Sequence, residues 1–224
     1  MRCAVQRLLE ERRIAVRAVK TLLLTTLIIG SFTATASAAP ADVQHFTFRG
    51  TFAEAAWVTS TDTSLTFTYI NPAKTRTGQE LFVDQFTDNF DSSGNFVGEI
   101  DTIADVTSGF SFSIDAVKLS TASASGSDLP ATTCTYDADF NLIGCVDSAI
   151  DVNATWTGQG PIGRGTFHDN FRQDGFHFTD HFQGTSRDAT ASGTIGGLTL
   201  GTGDLEFADM GRANFGEVDI CVGC

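Results

Sequence analysis

From about residue 44 onward the chain alternates apolar and polar residues in short runs punctuated by Gly, Asn, Asp and Ser, and nowhere sustains an apolar recurrence at helical spacing. Successive side chains of a strand point to opposite faces, whereas a helix returns to one face every three to four residues. The pattern therefore predicts an all-β chain: one domain, an antiparallel β-sandwich or closed β-barrel of roughly ten to twelve short strands. Strands are expected over residues 44–59, 64–70, 81–90, 95–103, 109–121, 132–136, 141–146, 150–157, 165–171, 176–185, 189–195, 198–207 and 213–220. The stretch 119–132, LSTASASGSDLPAT, reads as a loop or linker because it is small, polar and Pro/Gly-bearing.

The first 38 residues depart from this pattern. A basic region ends at Lys20, an apolar run follows from Thr21 to Phe32, and Ala36-Ser37-Ala38 offers the small residues a signal peptidase reads. The expectation is a cleaved secretory signal over 1–38 and a β-rich domain over 39–224, secreted to the extracellular space, or to the periplasm of a host with two membranes. No later stretch approaches the roughly 20 apolar residues a spanning helix needs, so no membrane span is expected in the mature form. Without the signal, eight basic residues face twenty-five acidic ones, a net charge near -17. A phosphate backbone is bound by a basic stripe, so this charge argues against nucleic acid as partner.

Cys134, Cys145, Cys221 and Cys224 remain after processing, an even number suited to two disulfides in an oxidising compartment. A hairpin looping over 138–141 would set Tyr136 opposite Ile143 and Cys134 opposite Cys145, leaving Cys221 and Cys224 to close on themselves. The CxxC has no preceding βαβ pattern, so a structural clip is a better reading than redox or zinc chemistry.

Aromatic usage is dominated by Phe, placed at alternate positions, which reads first as core and second as the lining of an apolar ligand cavity. The candidates for such a lining are Phe86, Phe90, Phe167, Phe171, Phe178 and Phe182. Asp84, Asp88, Asp169 and Asp180 interrupt these Phe runs at even spacing. A hairpin turning at Asp174-Gly175 would place Asp169 opposite Asp180 between Phe pairs, and His168 opposite His181 on the other face, with His177 nearer the turn. Paired carboxylates can divide acid and base roles, so Asp169 and Asp180, with His168 and His181, are the catalytic candidates. The same aspartates could take calcium through hard oxygen ligands, and His168, His177 and His181 could take zinc or copper. The bland alternatives are wet aspartates at a sheet edge and an ordinary polar surface. Asn153-Ala154-Thr155 is a glycosylation sequon.

No nucleophile elbow, HExxH or Walker loop is present. The functional expectation is a secreted, acidic, non-catalytic binding or interaction module for a small molecule or protein, with no obligatory cofactor beyond a calcium option. An aspartate-based hydrolase or isomerase is the alternative. A secreted inhibitor or cell-surface structural protein, presenting residues 119–132 or 159–164 as a protruding loop, is the third.

Overall fold

The computed structural model describes residues 42–173 and 176–222, with the side chains of 42–47, 167–173, 176–178, 180, 182 and 215–222 outside the description. Among the described residues there is no helix. Eleven strands follow one another: β1 Asp42–Ser60, β2 Ser64–Thr75, β3 Gln79–Phe90, β4 Phe96–Val106, β5 Phe110–Ile114, β6 Thr121–Asp137, β7 Leu142–Gly158, β8 Gly163–Gln173, β9 Phe176–Ile195, β10 Leu198–Leu200 and β11 Leu205–Val222. They form one sheet in the order β10-β9-β11-β1-β2-β3-β4-β6-β5, while β7 pairs with both β6 and β9, and β8 pairs with β9. The registers resolved between described residues are antiparallel.

The chain divides into two compact units. The larger comprises Arg49–Gly165 and Gly184–Asn214; the other gathers the described residues up to Phe48, Thr166–Gln183 and those from Phe215 onward.

In the larger unit, cross-strand pairing assigns every side chain to one of two faces. Ala55 pairs with Ile70, Ile70 with Val83, and Val83 with Ala104, so these share the core face. Twenty-four buried residues make up that core and ten of them are alanine, around Trp57 and Trp156. Phe112 is its only phenylalanine. The expectation that alternating Phe forms the core holds in part over the described residues: Phe52, Phe67 and Phe112 are buried, but Phe52, Phe67, Phe82, Phe86 and Phe207 lie on the face opposite the alanine-rich cluster, the last three only half-buried. Ten small alanines leave volume that the two indoles of Trp57 and Trp156 fill. Trp156 also donates its Nε1 hydrogen to the carbonyl of Glu54 at 2.9 Å, satisfying a polar group that burial would otherwise penalise.

Residues 119–132 are not a loop. Most of the stretch is β6, in which Ala122 and Ala124 are buried while Ser123 and Ser125 are exposed. Small residues hide a period-two pattern from any scan weighted by bulk hydrophobicity. Here alanine is the apolar member, and β5 and β7 flank the segment on either side. This removes one of the two protruding-loop candidates for an inhibitor. The expected strand over 109–121 ends instead at Ile114, where Asp115 accepts the amides of Val117 and Lys118 and turns the chain. The separately expected strands 132–136, 141–146 and 150–157 are the distal and proximal parts of β6 and β7.

The disulfide between Cys134 and Cys145 is present, across directly paired positions 4.1 Å apart at Cα. The expected hairpin register is half corrected. Tyr136 pairs with Leu142 rather than Ile143, which is extruded as a bulge. The loop holds 138–140, with Phe140 at φ 60° and the amide of Asp137 donating to the carbonyl of Asn141. Asp137 Oδ1 accepts the amides of Asp139 and Asn141, a local turn that fixes the shorter loop. Loop and bulge offset each other by one residue, so the cysteines still meet.

Candidate functional site

The face opposite the core, over β1 to β4 and β11, carries the densest chemistry among the described residues. On β3 it alternates Glu80, Phe82, Asp84, Phe86, Asp88 and Phe90, the last beyond a register shift. From β4 it receives Glu99, Asp101 and Asp105, from β2 Phe67, Tyr69 and Asn71, from β1 Glu54, and from β11 Phe207 and Asp209. Sheet register alone assembles this group: Tyr69 lies opposite Asp84, and Phe86 lies between Phe67 and Asp101.

Two polar arrangements stand out. In the first, Asn71 Nδ2 donates to Tyr69 Oη at 3.0 Å, and Tyr69 Oη donates to Glu54 Oε2 at 2.9 Å. All three residues are almost fully buried, and Asn71 Oδ1 has no hydrogen-bond partner. Burial and the neighbouring Glu54 charge hold the Tyr69 phenol well above its ordinary range, so it acts as a donor and not as a base.

In the second, Asp84 and Asp101 sit diagonally on β3 and β4. Burial, then the charge of Asp101, raises Asp84 to about 7. Asp101 is also raised, by burial, while its hydrogen bond with Asp84 pulls the other way, so the two carboxyls together hold a proton more readily than isolated ones. The Oδ1 atoms of both are buried without a hydrogen-bond partner. Glu80 and Asp105, further along the same face, are likewise raised by burial. Aromatic rings frame the pair: Phe67 stacks on Phe86 at 5.1 Å, and Tyr69 lies 6.2 Å from Phe82 and 6.4 Å from Phe207. A carboxyl pair holding one proton near neutrality, half-buried among rings, can bind a cation by releasing that proton, or pass the proton to a bound molecule.

The sequence candidates distribute as follows. Asp84 and Asp88 share the face described above; Asp88 is buried and Asp84 half-buried. Phe86 belongs to the same face, but Phe90 packs edge-on against Phe96, which stacks on Phe140 at 4.6 Å, so the two are not brought into one lining. The side chains of Asp169, Asp180, His168, His177, Phe167, Phe171, Phe178 and Phe182 lie outside the described residues, as do the side chain of Cys221 and the whole of Cys224. The strands predicted for that hairpin do form and pair, as β8 with β9. His181 is half-buried and engaged in an interaction of its own. Among the described residues no three His, Cys, Asp or Glu side chains are placed to hold a metal ion. Nor is any helix long and apolar enough to cross a membrane.

Glu54, Tyr69, Asn71, Asp101 and Asp209 were not singled out from sequence. Asp84 was visible through its Phe-Asp alternation; its partner Asp101 has no comparable flank and is found only through the β3/β4 register. Comparison with known proteins returns no matching family model, no match among curated proteins and no match among solved structures.

Proposed function

We propose that the protein is a secreted, non-catalytic binding module whose ligand-contact surface is the Phe/carboxyl face of β1 to β4 and β11. The single observation carrying this reading is the Asp84 and Asp101 pair, desolvated, with both Oδ1 atoms unmatched. A sheet face built for stability alone would place apolar groups there, since burying unneutralised carboxyls costs free energy. The ligand class that fits is an organic cation with an apolar body, its charge on the carboxyl pair and its body against Phe82, Phe86 and Phe207.

The test is calorimetric titration with a series of alkyl and aryl amines and their matching alcohols, in buffers of different ionisation enthalpy. The reading expects amines to bind with proton release near pH 6, and Asp84→Asn with Asp101→Asn to abolish the effect. Alcohols that bind as well as the amines would sink it.

A second reading is favoured by the shared proton itself: a hydrolase or isomerase in which Asp84 acts as acid and Asp101 as base, a role first assigned to Asp169 and Asp180. Calcium at Asp169 and Asp180 stays part of the proposal, tested by whether chelator lowers the melting temperature. Secretion is supported by the Cys134–Cys145 disulfide, which persists in oxidising compartments.

We also infer that the larger unit is a closed barrel of eight strands, β1, β2, β3, β4, β6, β7, β9 and β11, because the chain of pairings returns to its start through β7 and β9. A barrel of that size has an interior just filled by side chains, which suits a core of alanines and two indoles.

A further inference from the structure

The β6/β7 hairpin carries a feature that the carboxyl face does not use. Among the described residues, β7 pairs with β9 only from Val152 onward, so residues 142–149 pair with β6 alone and present an edge on their other side. The direction of their backbone groups can be read. Cys134 and Cys145 are 4.1 Å apart at Cα, the close spacing of a pair that does not exchange backbone hydrogen bonds, so the N–H and C=O of Cys145 point away from β6. Asp151, of the same parity, accepts the amide of Gly196 on that side, whereas Gly158, of the opposite parity, donates to Ser120 beside β6. Cys145, Asp147 and Ala149 thus turn three donors and three acceptors outward, and all three residues are exposed.

Exposed apolar side chains lie on the hairpin and on the strand beyond it. Of the nine large apolar residues exposed among the described residues, Val97, Ile100 and Ile103 lie on β4, and Phe140, Leu142, Ile143 and Val146 on the hairpin. β6 lies between β4 and this edge, and Ile103 shares the face of Asp101 while Ile100 lies on the other, so the four on the hairpin are the ones nearest the edge. Native proteins blunt long edges, and a flat apolar one is a template for another strand.

We propose that residues 142–149 form a docking edge that receives an extended strand of a partner protein, with side chains alternating basic and apolar. Backbone pairing would supply the affinity, and alternate pockets the specificity. The alternation follows from the edge itself. A strand laid along it meets Val146 on one face and Asp147, between Cys145 and Ala149, on the other. A second copy of this chain fits poorly: an antiparallel pairing centred on the outward groups sets Asp147 against Asp147, between molecules of formal charge -13. Cys145 and Asp147 share the sheet face of Asp101, but the edge lies two strands away from it across β6, so failure of strand docking leaves the ligand reading standing.

The test uses the full chain and a capped seven-residue peptide of alternating lysine and valine. Its controls are a glutamate and valine counterpart and a lysine and valine peptide N-methylated along one edge, which keeps the charge but removes the donors. The readout is amide hydrogen exchange at Cys145, Asp147 and Ala149. The lysine peptide is expected to protect these amides and the methylated one not to. Ala149→Pro, which removes an outward donor while sparing the bonds to β6, should weaken binding at least tenfold, and Asp147→Lys should transfer preference to the glutamate peptide. Protection of Gly144, Val146 and Ser148 on the β6 side shows that each variant keeps its hairpin. Absence of protection at millimolar peptide, or equal binding of the methylated peptide, overturns the proposal. Edge protection that instead grows with protein concentration alone overturns it in favour of a second copy.

Discussion

Asp84 holds its proton because burial removes the water that would solvate its charge and because Asp101 and Glu99 add negative potential. A carboxyl whose folded pKa is raised binds its proton more tightly in the folded than in the unfolded state. Its protonation therefore favours folding most fully below the unfolded value of 3.8, and that contribution is lost as pH rises toward about 7. Asp101, Glu80 and Asp105 push in the same direction. Asp91, Asp115 and Asp137, each lowered by local hydrogen bonds, oppose them only in the acid range below the ordinary carboxylate pKa. The melting temperature should accordingly rise between pH 8 and pH 5, and Asp84→Asn should raise it at pH 8 while flattening the profile. A wild-type profile flat over that window would show that the pair is not desolvated in solution. At the same scale, a Cβ on Gly211 would collide with the ring of Phe52. Gly211→Ala should destabilise by roughly 1 to 3 kcal/mol, as overpacking does, with partial recovery in combination with Phe52→Leu; chemical denaturation of the three variants checks this.

The β6/β7 hairpin shows how far an element can be read from spacing. Apolar ends, a turn-forming middle and two cysteines made the Cys134–Cys145 pairing legible. The loop length was not, because it depends on Asp137 capturing two amides and on Phe140 entering the left-handed region. The disulfide closes a short loop at the exposed end of the hairpin, and its removal by Cys134→Ser or Cys145→Ser should cost on the order of 2 to 4 kcal/mol. An unfolding midpoint equal to wild type would show that the bridge does not stabilise the fold. β6 itself was misread because alternating Ala and Ser carries little hydrophobic contrast. Its status as a strand comes from the neighbours that pair with it on both sides.

At the scale of the whole molecule, the core is defined by how little room it leaves. Ala154 is fully buried between β6 and β9, opposite Ala124 and Gly193. Ala154→Leu should therefore destabilise by at least about 1 to 3 kcal/mol, whereas Ser125→Thr on the exposed face should fall within about 0.5 kcal/mol of wild type. Urea titration of the two, with equal losses, would argue that the alanine face is not a packed interior.

The sequence by itself determined the all-β class, the antiparallel neighbours, one disulfide and the alternation of Phe with acid along β3, because each is set by residues close in the chain and by a side-chain period of two. Only the tertiary structure decided which face became the core. Alternation divides a strand into two sets of side chains without saying which set turns inward; the folded core takes ten alanines with Trp57, Trp156 and Phe112 and leaves Phe82 and Phe86 on the other face. It likewise decided that Asp84 meets Asp101 and that, among the described residues, 142–149 pair with β6 alone, since register between strands depends on pairing across the sheet and not on any local run of residues.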